Sequence, residues 1–138
     1  DKADYYYSRG VSYHNQGDYD RAIADYTKAI QLDPENGSYY KQRGVSCNEK
    51  GDYGRAIADK SKAIQLDPDK ADYYYSRGVS YHEKRDYDRA IADKSKAIQL
   101  DPDNPKYYTS RALTYRAQGK TALAEADEAK ARSLGGGG

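Results

Sequence analysis

His14, His82 and Cys47 are the side chains of this sequence best suited to acid–base, metal or nucleophilic chemistry. The two histidines stand in matching contexts, SYHNQ and SYHEK, 68 residues apart. Because they are equivalent residues of a repeated sequence, we expect them to lie too far apart to share one metal ion or form an acid–base pair. Cys47 occupies a position where the other copies of the repeat have tyrosine, and a nucleophile would need a nearby base that the sequence does not offer. We therefore predict no catalytic and no metal-binding residues.

Two further kinds of site are also not indicated. The acidic DPDK and DPDN turns lack the ligand density and the closing glutamate of a calcium loop. Gly10 and Gly44 lie inside helical patterns, and no glycine-rich phosphate-binding loop is present. The sequence predicts a protein that is not an enzyme and uses no cofactor.

The charge balance also limits the class of partner. The chain has 23 basic and 22 acidic residues and a formal net charge of +1, which gives no electrostatic reason to expect nucleic acid or an anionic membrane. No apolar run approaches the ~20 residues that cross a bilayer. With a single cysteine no disulfide forms within the chain, and a cytoplasmic setting is favoured.

One thirteen-residue stretch occurs three times and reveals the organisation of the chain. AIADYTKAIQLDP ends at Pro34, and AIADKSKAIQLDP ends at Pro68 and again at Pro102. The chain divides into blocks 1–34, 35–68, 69–102 and 103–134, and the first and third blocks are identical at 29 of 34 positions. A period of about 34 residues is typical of solenoid repeats.

Each block is predicted to be two helices joined by a tight turn. In the first block one helical stripe contains Ala3, Tyr6, Gly10 and Tyr13, and a second contains Ala22, Ile23, Tyr26, Ala29 and Ile30. Between the stripes Gly17 offers a left-handed stop and Asp18 a helix cap. A pair of this kind cannot bury its own apolar sides, so we expect neighbouring pairs to stack.

These residues resemble the tetratricopeptide repeat (TPR). Its pattern of aromatic and small residues ending in proline is found here as Tyr6, Gly10, Tyr13, Ala22, Tyr26 and Pro34, and the third block repeats it as Tyr74, Gly78, Tyr81, Ala90, Ala97 and Pro102. The resemblance implies an all-α, right-handed α-solenoid of four stacked hairpins that form one domain over residues 1–134.

The uniformity of the blocks and the four final glycines bear on the origin of the chain. Near-identical blocks are compatible with an engineered or consensus-derived array and also with a young natural one. Gly135 to Gly138 are interpreted as a tail outside the repeat domain, introduced by engineering.

Arginine stands in every block where the family usually has leucine, and aspartate follows sixteen residues later. We interpret these residues as ion pairs that join the two helices of each hairpin, with a ligand-binding arginine ladder as the alternative. The pairs are Arg9 with Asp25, Arg43 with Asp59, Arg77 with Asp93, and Arg111 with Asp127.

Three further departures concern single positions. Lys60 and Lys94 replace the aromatic residue Tyr26, and we expect their ammonium groups to reach water or a neighbouring tyrosine ring. Arg85 replaces the turn glycine, and we expect it to adopt a left-handed conformation.

The resemblance implies that the first helices line a concave groove that binds a protein or an extended peptide. Tyrosines, an apolar floor and mixed charge suit a peptide, and the alternative is a solvated face without a ligand. A carboxylate clamp of the co-chaperone type is not indicated, because at best two of five positions match. The predicted groove residues are Tyr7, Val11, His14, Lys41, Val45, Asn48, Tyr75, Val79, His82, Thr109, Leu113 and Arg116.

Self-association is the alternative function. The outer face of the fourth block and the start of the first are complementary by construction, so head-to-tail stacking of a designed array with no natural ligand would also explain the sequence. The last apolar stripe is mostly alanine with Leu123 and Leu134, and we expect it to be weakly adhesive.

Overall fold

The computed structural model describes residues 1–135, and within them it contains eight α-helices and no strand. None of these helices is long and apolar enough to cross a membrane. The helices are α1 (Lys2–Asn15), α2 (Tyr19–Leu32), α3 (Gly37–Glu49), α4 (Tyr53–Leu66), α5 (Ala71–Glu83), α6 (Tyr87–Leu100), α7 (Pro105–Ala117) and α8 (Thr121–Ser133).

The described chain forms two compact units. The first is Asp1–Pro68 and contains α1 to α4, and the second begins at Asp69 and contains α5 to α8. Within each unit consecutive helices pack as two hairpins, and the second helix of the first hairpin packs against the first helix of the next. That residues 1–134 form a single domain stays a prediction. Of the predicted glycine tail, residues 136–138 lie outside the described residues.

The hairpin turns are built by the residues that the repeat pattern indicated. Gly17 adopts a φ of +80°, a conformation that residues with a Cβ adopt only with strain. The Asp18 carboxylate then accepts a hydrogen bond from the Arg21 backbone N–H at the start of α2. Asp52 and Asp86 cap α4 and α6 in the same way. These caps explain why α2, α4 and α6 begin at the same place in their repeats.

Arg85 is the one non-glycine residue with positive φ among the described residues, at +70°. A left-handed conformation costs a residue with a Cβ about 1 kcal/mol relative to glycine. We expect Arg85→Gly to raise the free energy of unfolding by about this amount, as measured by urea denaturation. The matched control is Gly17→Arg, because Gly17 occupies the equivalent turn of the first block and the two turns differ at few residues. The Gly17→Arg variant should lower the free energy of unfolding by a similar amount. Equal stability of wild type and Arg85→Gly would contradict the strain argument.

Small residues bring the two helices of each hairpin close together. A Cβ built on Gly10 would lie 2.7 Å from the ring of Tyr26, and one on Gly78 would lie 3.0 Å from Cγ of Lys94. Tyr26 in α2 and Lys94 in α6 therefore occupy equivalent places, each packed directly against a glycine of the preceding helix. In the first unit Ala3, Ala29 and Tyr39 form the core cluster beside this contact.

Candidate functional site

A groove lies in the second unit between side chains of α5 and α7, with a volume of about 660 Å³. Six of the twelve predicted groove residues line it: Tyr75, Val79 and His82 from α5, and Thr109, Leu113 and Arg116 from α7. The other lining residues are Glu83, Lys94, Pro105, Lys106, Ser110 and Glu128. We call this site the α5–α7 groove. The structure thus brings together all the predicted groove residues that belong to this unit.

The other six predicted residues lie on α1 and α3 of the first unit. All of them are half-buried: Tyr7, Val11, His14, Lys41, Val45 and Asn48. Tyr7 packs in the unit's interior, with its ring centroid 5.1 Å from that of Tyr39 and 5.8 Å from that of Tyr26. His14 Nδ1 lies 2.8 Å from Ser46 Oγ, so this pair joins α1 to α3. A peptide-binding role for these six residues stays a prediction.

One substitution between the units changes the side chain beside Tyr75 in the α5–α7 groove. In the first unit the fully buried ring of Tyr26 packs beside Tyr7. In the second unit Lys94 stands at the equivalent position beside Tyr75, and a lysine stem occupies less width than a phenol ring. The Tyr75 ring has Tyr107 at 5.2 Å, as Tyr7 has Tyr39, and the Lys106 ammonium at 4.8 Å from its centroid. Space that an aromatic ring fills in the first unit is therefore only partly filled here.

The Lys94 side chain is buried, with 1% of its surface exposed. Its Nζ donates hydrogen bonds to the Ser110 carbonyl oxygen at 3.0 Å and to Thr114 Oγ1 at 2.7 Å. The expectation that this ammonium reaches water or a tyrosine ring was wrong, because α7 offers it two oxygen acceptors inside the unit. Burial lowers the pKa of Lys94 to about 8. The floor of the groove therefore carries an ammonium group in an environment that disfavours its charge.

His82 contacts the same threonine as Lys94. Its Nδ1 lies 2.8 Å from Thr114 Oγ1, and its ring meets that of Tyr87 edge-on at 5.2 Å. Burial, and then the neighbouring Lys94 ammonium, lower the pKa of His82. The imidazole is therefore neutral near pH 7. The positive charge at the groove floor belongs to Lys94.

The rim of the groove is closed by an ion pair between α7 and α8. Arg116 donates from Nε and Nη2 to the two carboxylate oxygens of Glu128, at 2.8 and 2.7 Å. Glu128 stands where the first block has Tyr26. The hydrogen bonds from Arg116 lower the pKa of the Glu128 carboxyl.

The arginine and the aspartate that recur in every block form a bidentate ion pair within each hairpin. Nε and Nη2 of each arginine donate to the two oxygens of its aspartate at 2.7–2.8 Å. Arg43 and Arg111 also donate from Nη1, to Thr27 Oγ1 and Ser95 Oγ of the preceding hairpin. The second-unit pairs, Arg77–Asp93 and Arg111–Asp127, do not line the groove. These contacts fit a structural role rather than a ladder that binds ligands.

Cys47 lies in the interior of the first unit, with 1% of its surface exposed. Burial raises the pKa of its thiol, so the reactive thiolate is disfavoured. Within residues 1–135 no three His, Cys, Asp or Glu side chains are grouped as ligands for a metal ion.

Sequence reasoning missed the part that second helices play in the groove. Lys94 of α6 and Glu128 of α8 both line it, although only first-helix residues were expected to. The signal was present, since these two residues stand where the first block has Tyr26. Replacement of the aromatic residue by lysine was expected to send the ammonium group to water or to a tyrosine ring, and no groove was predicted from it.

The sequence matches models of the tetratricopeptide repeat family over most of its length. Two models described as "Tetratricopeptide repeat" match residues 3–36 and 71–104, and residues 95–126. A third, described as "TPR repeat", matches residues 44–84. An uncharacterized protein of Methanocaldococcus jannaschii, MJ0572, is 48% identical over 33 residues, which are 24% of this chain and 38% of that protein's length.

Solved structures share the fold. A crystal structure of MamA superposes with a TM-score of 0.88 at 26% identity, covering 96% of this chain and 77% of that one. The first TPR of Spaghetti (RPAP3), bound to the HSP90 peptide SRMEEVD, gives a TM-score of 0.81 at 25% identity, covering 86% of this chain and 94% of that one. The Arabidopsis OM64 TPR domain has the same fold, with a TM-score of 0.80 at 24% identity and coverage of 84% and 96%.

These comparisons confirm the predicted fold class, an α-solenoid of helix-turn-helix repeats. The family models, the solved structures and the repeated hairpins agree with one another. The chain belongs to the tetratricopeptide repeat family.

Proposed function

We propose that this protein is a non-enzymatic module that binds a protein or an extended peptide in the α5–α7 groove. The observation that carries the proposal is that six residues predicted from the repeat pattern line one groove. A volume of about 660 Å³ lies within the range of sites that accommodate small ligands or several side chains.

The chemistry of the lining supports a peptide ligand. Val79 and Leu113 offer apolar surface, and Leu113 is 60% exposed although it is a large hydrophobic residue. Tyr75 adds an aromatic face that loses little conformational freedom on binding. Charged groups stand around this apolar centre, which is the usual arrangement of a protein-binding surface.

The comparisons support the same class of function. The structure of the first TPR of RPAP3 contains a bound HSP90 peptide, and it shares the fold of this chain. That ligand is a property of RPAP3, and the residues of the α5–α7 groove determine which peptide is bound here.

A peptide-library screen with two matched leucine variants tests the proposal. We expect Leu113→Glu to weaken binding of selected peptides at least tenfold, because it places a carboxylate on the apolar centre of the groove. Leu123→Glu is the control, since Leu123 is 50% exposed on α8 and does not line the groove. Isothermal titration calorimetry on both variants measures the difference. Equal affinities of wild type and Leu113→Glu would show that the α5–α7 groove is not the binding site.

Two alanine variants then compare the units. Tyr75→Ala should weaken binding if the α5–α7 groove is the site. Tyr7→Ala tests whether the equivalent first-helix residue of the first unit contributes to binding. Tyr7 also packs against Tyr26 and Tyr39. Its melting temperature must therefore be measured alongside its affinity.

Head-to-tail self-association is the alternative function, and a cytoplasmic location is a further prediction from the sequence. Light scattering after size-exclusion chromatography tests the former, because an assembling chain gains mass as its concentration rises.

A further inference from the structure

We propose that Lys94 is a positioning residue of the α5–α7 groove, which acts through the Thr114 hydroxyl to fix the neutral imidazole of His82 with its proton on Nε2. The His82 Nε2–H then donates a hydrogen bond to a carbonyl oxygen of the bound peptide. The second statement rests on the proposed function, whereas the first concerns the free protein and is tested on it alone.

His82, Thr114 and Lys94 form a continuous chain of hydrogen bonds between α5, α7 and α6. Lys94 Nζ lies 2.7 Å from Thr114 Oγ1, and Thr114 Oγ1 lies 2.8 Å from His82 Nδ1. An ammonium group has only donors, so Thr114 Oγ1 must accept from Lys94. The hydroxyl keeps one proton of its own to donate. When that proton goes to His82 Nδ1, the neutral imidazole carries its proton on Nε2.

The surroundings of Thr114 favour this direction over the reverse. The other acceptor for its proton is the Ser110 carbonyl oxygen at 3.4 Å, which is a long hydrogen bond, and this oxygen already accepts from Lys94 at 3.0 Å. A proton on His82 Nδ1 would have to point at an oxygen that already receives the ammonium. A hydroxyl that accepts from a cation is polarised and donates more strongly. The Thr114 proton is therefore directed to His82.

Lys94 acts only inside the protein, and His82 is the residue that meets the ligand. The Lys94 side chain is 1% exposed, and its ammonium is engaged by Ser110 and Thr114. His82 is half-buried and lines the groove. Since Nδ1 faces Thr114, Nε2 is the imidazole nitrogen left for a ligand, and none of the residues that the structure describes bonds to it.

The donor that His82 offers is uncharged. Burial, and then the Lys94 ammonium, lower the pKa of His82, so the ring carries a single proton at pH 7. An uncharged N–H beside the apolar side chains of Val79 and Leu113 suits a carbonyl oxygen, the acceptor of every peptide bond and of Asn and Gln side chains. His82 therefore orients the peptide in the groove without adding a charge.

The first unit supplies an internal comparison. His14 Nδ1 lies 2.8 Å from Ser46 Oγ, so a histidine paired with a hydroxyl recurs there. Tyr26 stands at the position equivalent to Lys94, and a phenol is not a cation. The Ser46 hydroxyl is therefore not compelled to accept from an ammonium. His14 reports how the same kind of pair behaves without one.

Nitrogen NMR on the free protein tests the positioning role of Lys94. The chain contains two histidines, and long-range ¹H–¹⁵N spectra at pH 7 show which ring nitrogen of each carries the proton. We expect wild-type His82 in the Nε2–H form. Lys94→Met should show a substantial share of the Nδ1–H form, because the Thr114 hydroxyl then donates to Ser110 and accepts from Nδ1. The His14 signals should not change.

Two variants control this measurement. Lys96→Met removes an ammonium from the same helix that does not line the groove, and it should keep the wild-type pattern of His82. Thr114→Ser retains the hydroxyl and should keep that pattern as well. An Nδ1–H pattern for His82 in wild type, or the same pattern in wild type and Lys94→Met, would overturn the positioning role.

Calorimetry with peptides selected by the groove tests the ligand contact. His82→Phe keeps a flat ring without the donor and should weaken binding about three- to tenfold. His82→Gln should recover most of the affinity, because its amide nitrogen is an uncharged donor. Lys94→Met should weaken binding by a smaller factor, and Lys96→Met should leave it unchanged. Replacing Asn and Gln of the peptide by alanine separates a side-chain acceptor from a backbone one.

The outcomes keep the two proposals apart. If the selected peptides lose affinity to Leu113→Glu but not to His82→Phe, the proposed function holds and the His82 contact is overturned. If no selected peptide responds to Leu113→Glu, the groove is not the binding site and the His82 contact fails with the proposed function. The NMR pattern still confirms or overturns the role of Lys94 in that case.

Discussion

Asp127→Ala should lower the free energy of unfolding by about 3 kcal/mol, the largest effect expected from a single substitution in this protein. Asp127 is 5% exposed and accepts two hydrogen bonds, both at 2.7 Å, from Arg111. The substitution leaves the Arg111 guanidinium, whose side chain is 20% exposed, with Ser95 at 3.1 Å as its remaining hydrogen-bond partner and the rings of Tyr108 and Tyr115 nearby. The loss arises mainly from this uncompensated charge in a poorly solvated position.

Two comparison variants define what the measurement means. Asp103→Ala changes an exposed aspartate outside these ion pairs and should alter stability by no more than about 0.5 kcal/mol. The double variant Arg111→Met with Asp127→Leu removes both charges and should recover most of the loss. Urea denaturation followed by circular dichroism measures all three. A loss below about 1 kcal/mol for Asp127→Ala would show that the pair is solvated like a surface salt bridge.

Lys94→Met should stabilise the protein at pH 7, and its advantage over wild type should shrink by about 2 kcal/mol between pH 7 and pH 9.5. Lys94 has a folded-state pKa lowered to about 8 by burial, against an ordinary value of 10.5. Methionine fills the same volume without a charge, so the difference between the two proteins isolates the cost of the buried ammonium.

The sign follows from the protons bound in each state. Below pH 8 the folded and unfolded chains both hold the Lys94 proton, and the folded chain bears the full cost of the charge. Between pH 8 and 10.5 the folded chain loses that proton first, so the unfolded chain binds more protons and stability rises with pH. Wild type should therefore gain stability over this window relative to Lys94→Met.

Tyrosine ionisation limits the range in which this effect is measured. Burial raises the pKa of Tyr26 to about 12 and also raises the pKa values of Tyr75 and Tyr107, so these phenols favour a fall in stability above about pH 10. Both proteins contain the same tyrosines, and their contribution cancels in the difference. A constant gap between the two denaturation curves from pH 7 to 9.5 would mean that the Lys94 pKa is not lowered.

The sequence by itself determined the repeat, the helix pairs and the turns, because each of these depends on residues close together in the chain. Gly17 and Asp18 specify a turn and a cap through their own backbone and side-chain geometry. The pairing of arginine with aspartate was also predictable, since both recur at the same spacing in every block and face each other across a two-helix hairpin.

Only the tertiary structure decided where the Lys94 ammonium lies and that a groove is enclosed beside it. A lysine stem can point to water, to an aromatic ring or to a buried acceptor, and the choice depends on Ser110 and Thr114, which lie 16 and 20 residues away on the next hairpin. The volume of the α5–α7 groove likewise depends on how much space side chains from α5, α6, α7 and α8 leave together. The repeat pattern specifies which residues face that space, but hydrogen bonding and packing between hairpins determine whether it is filled.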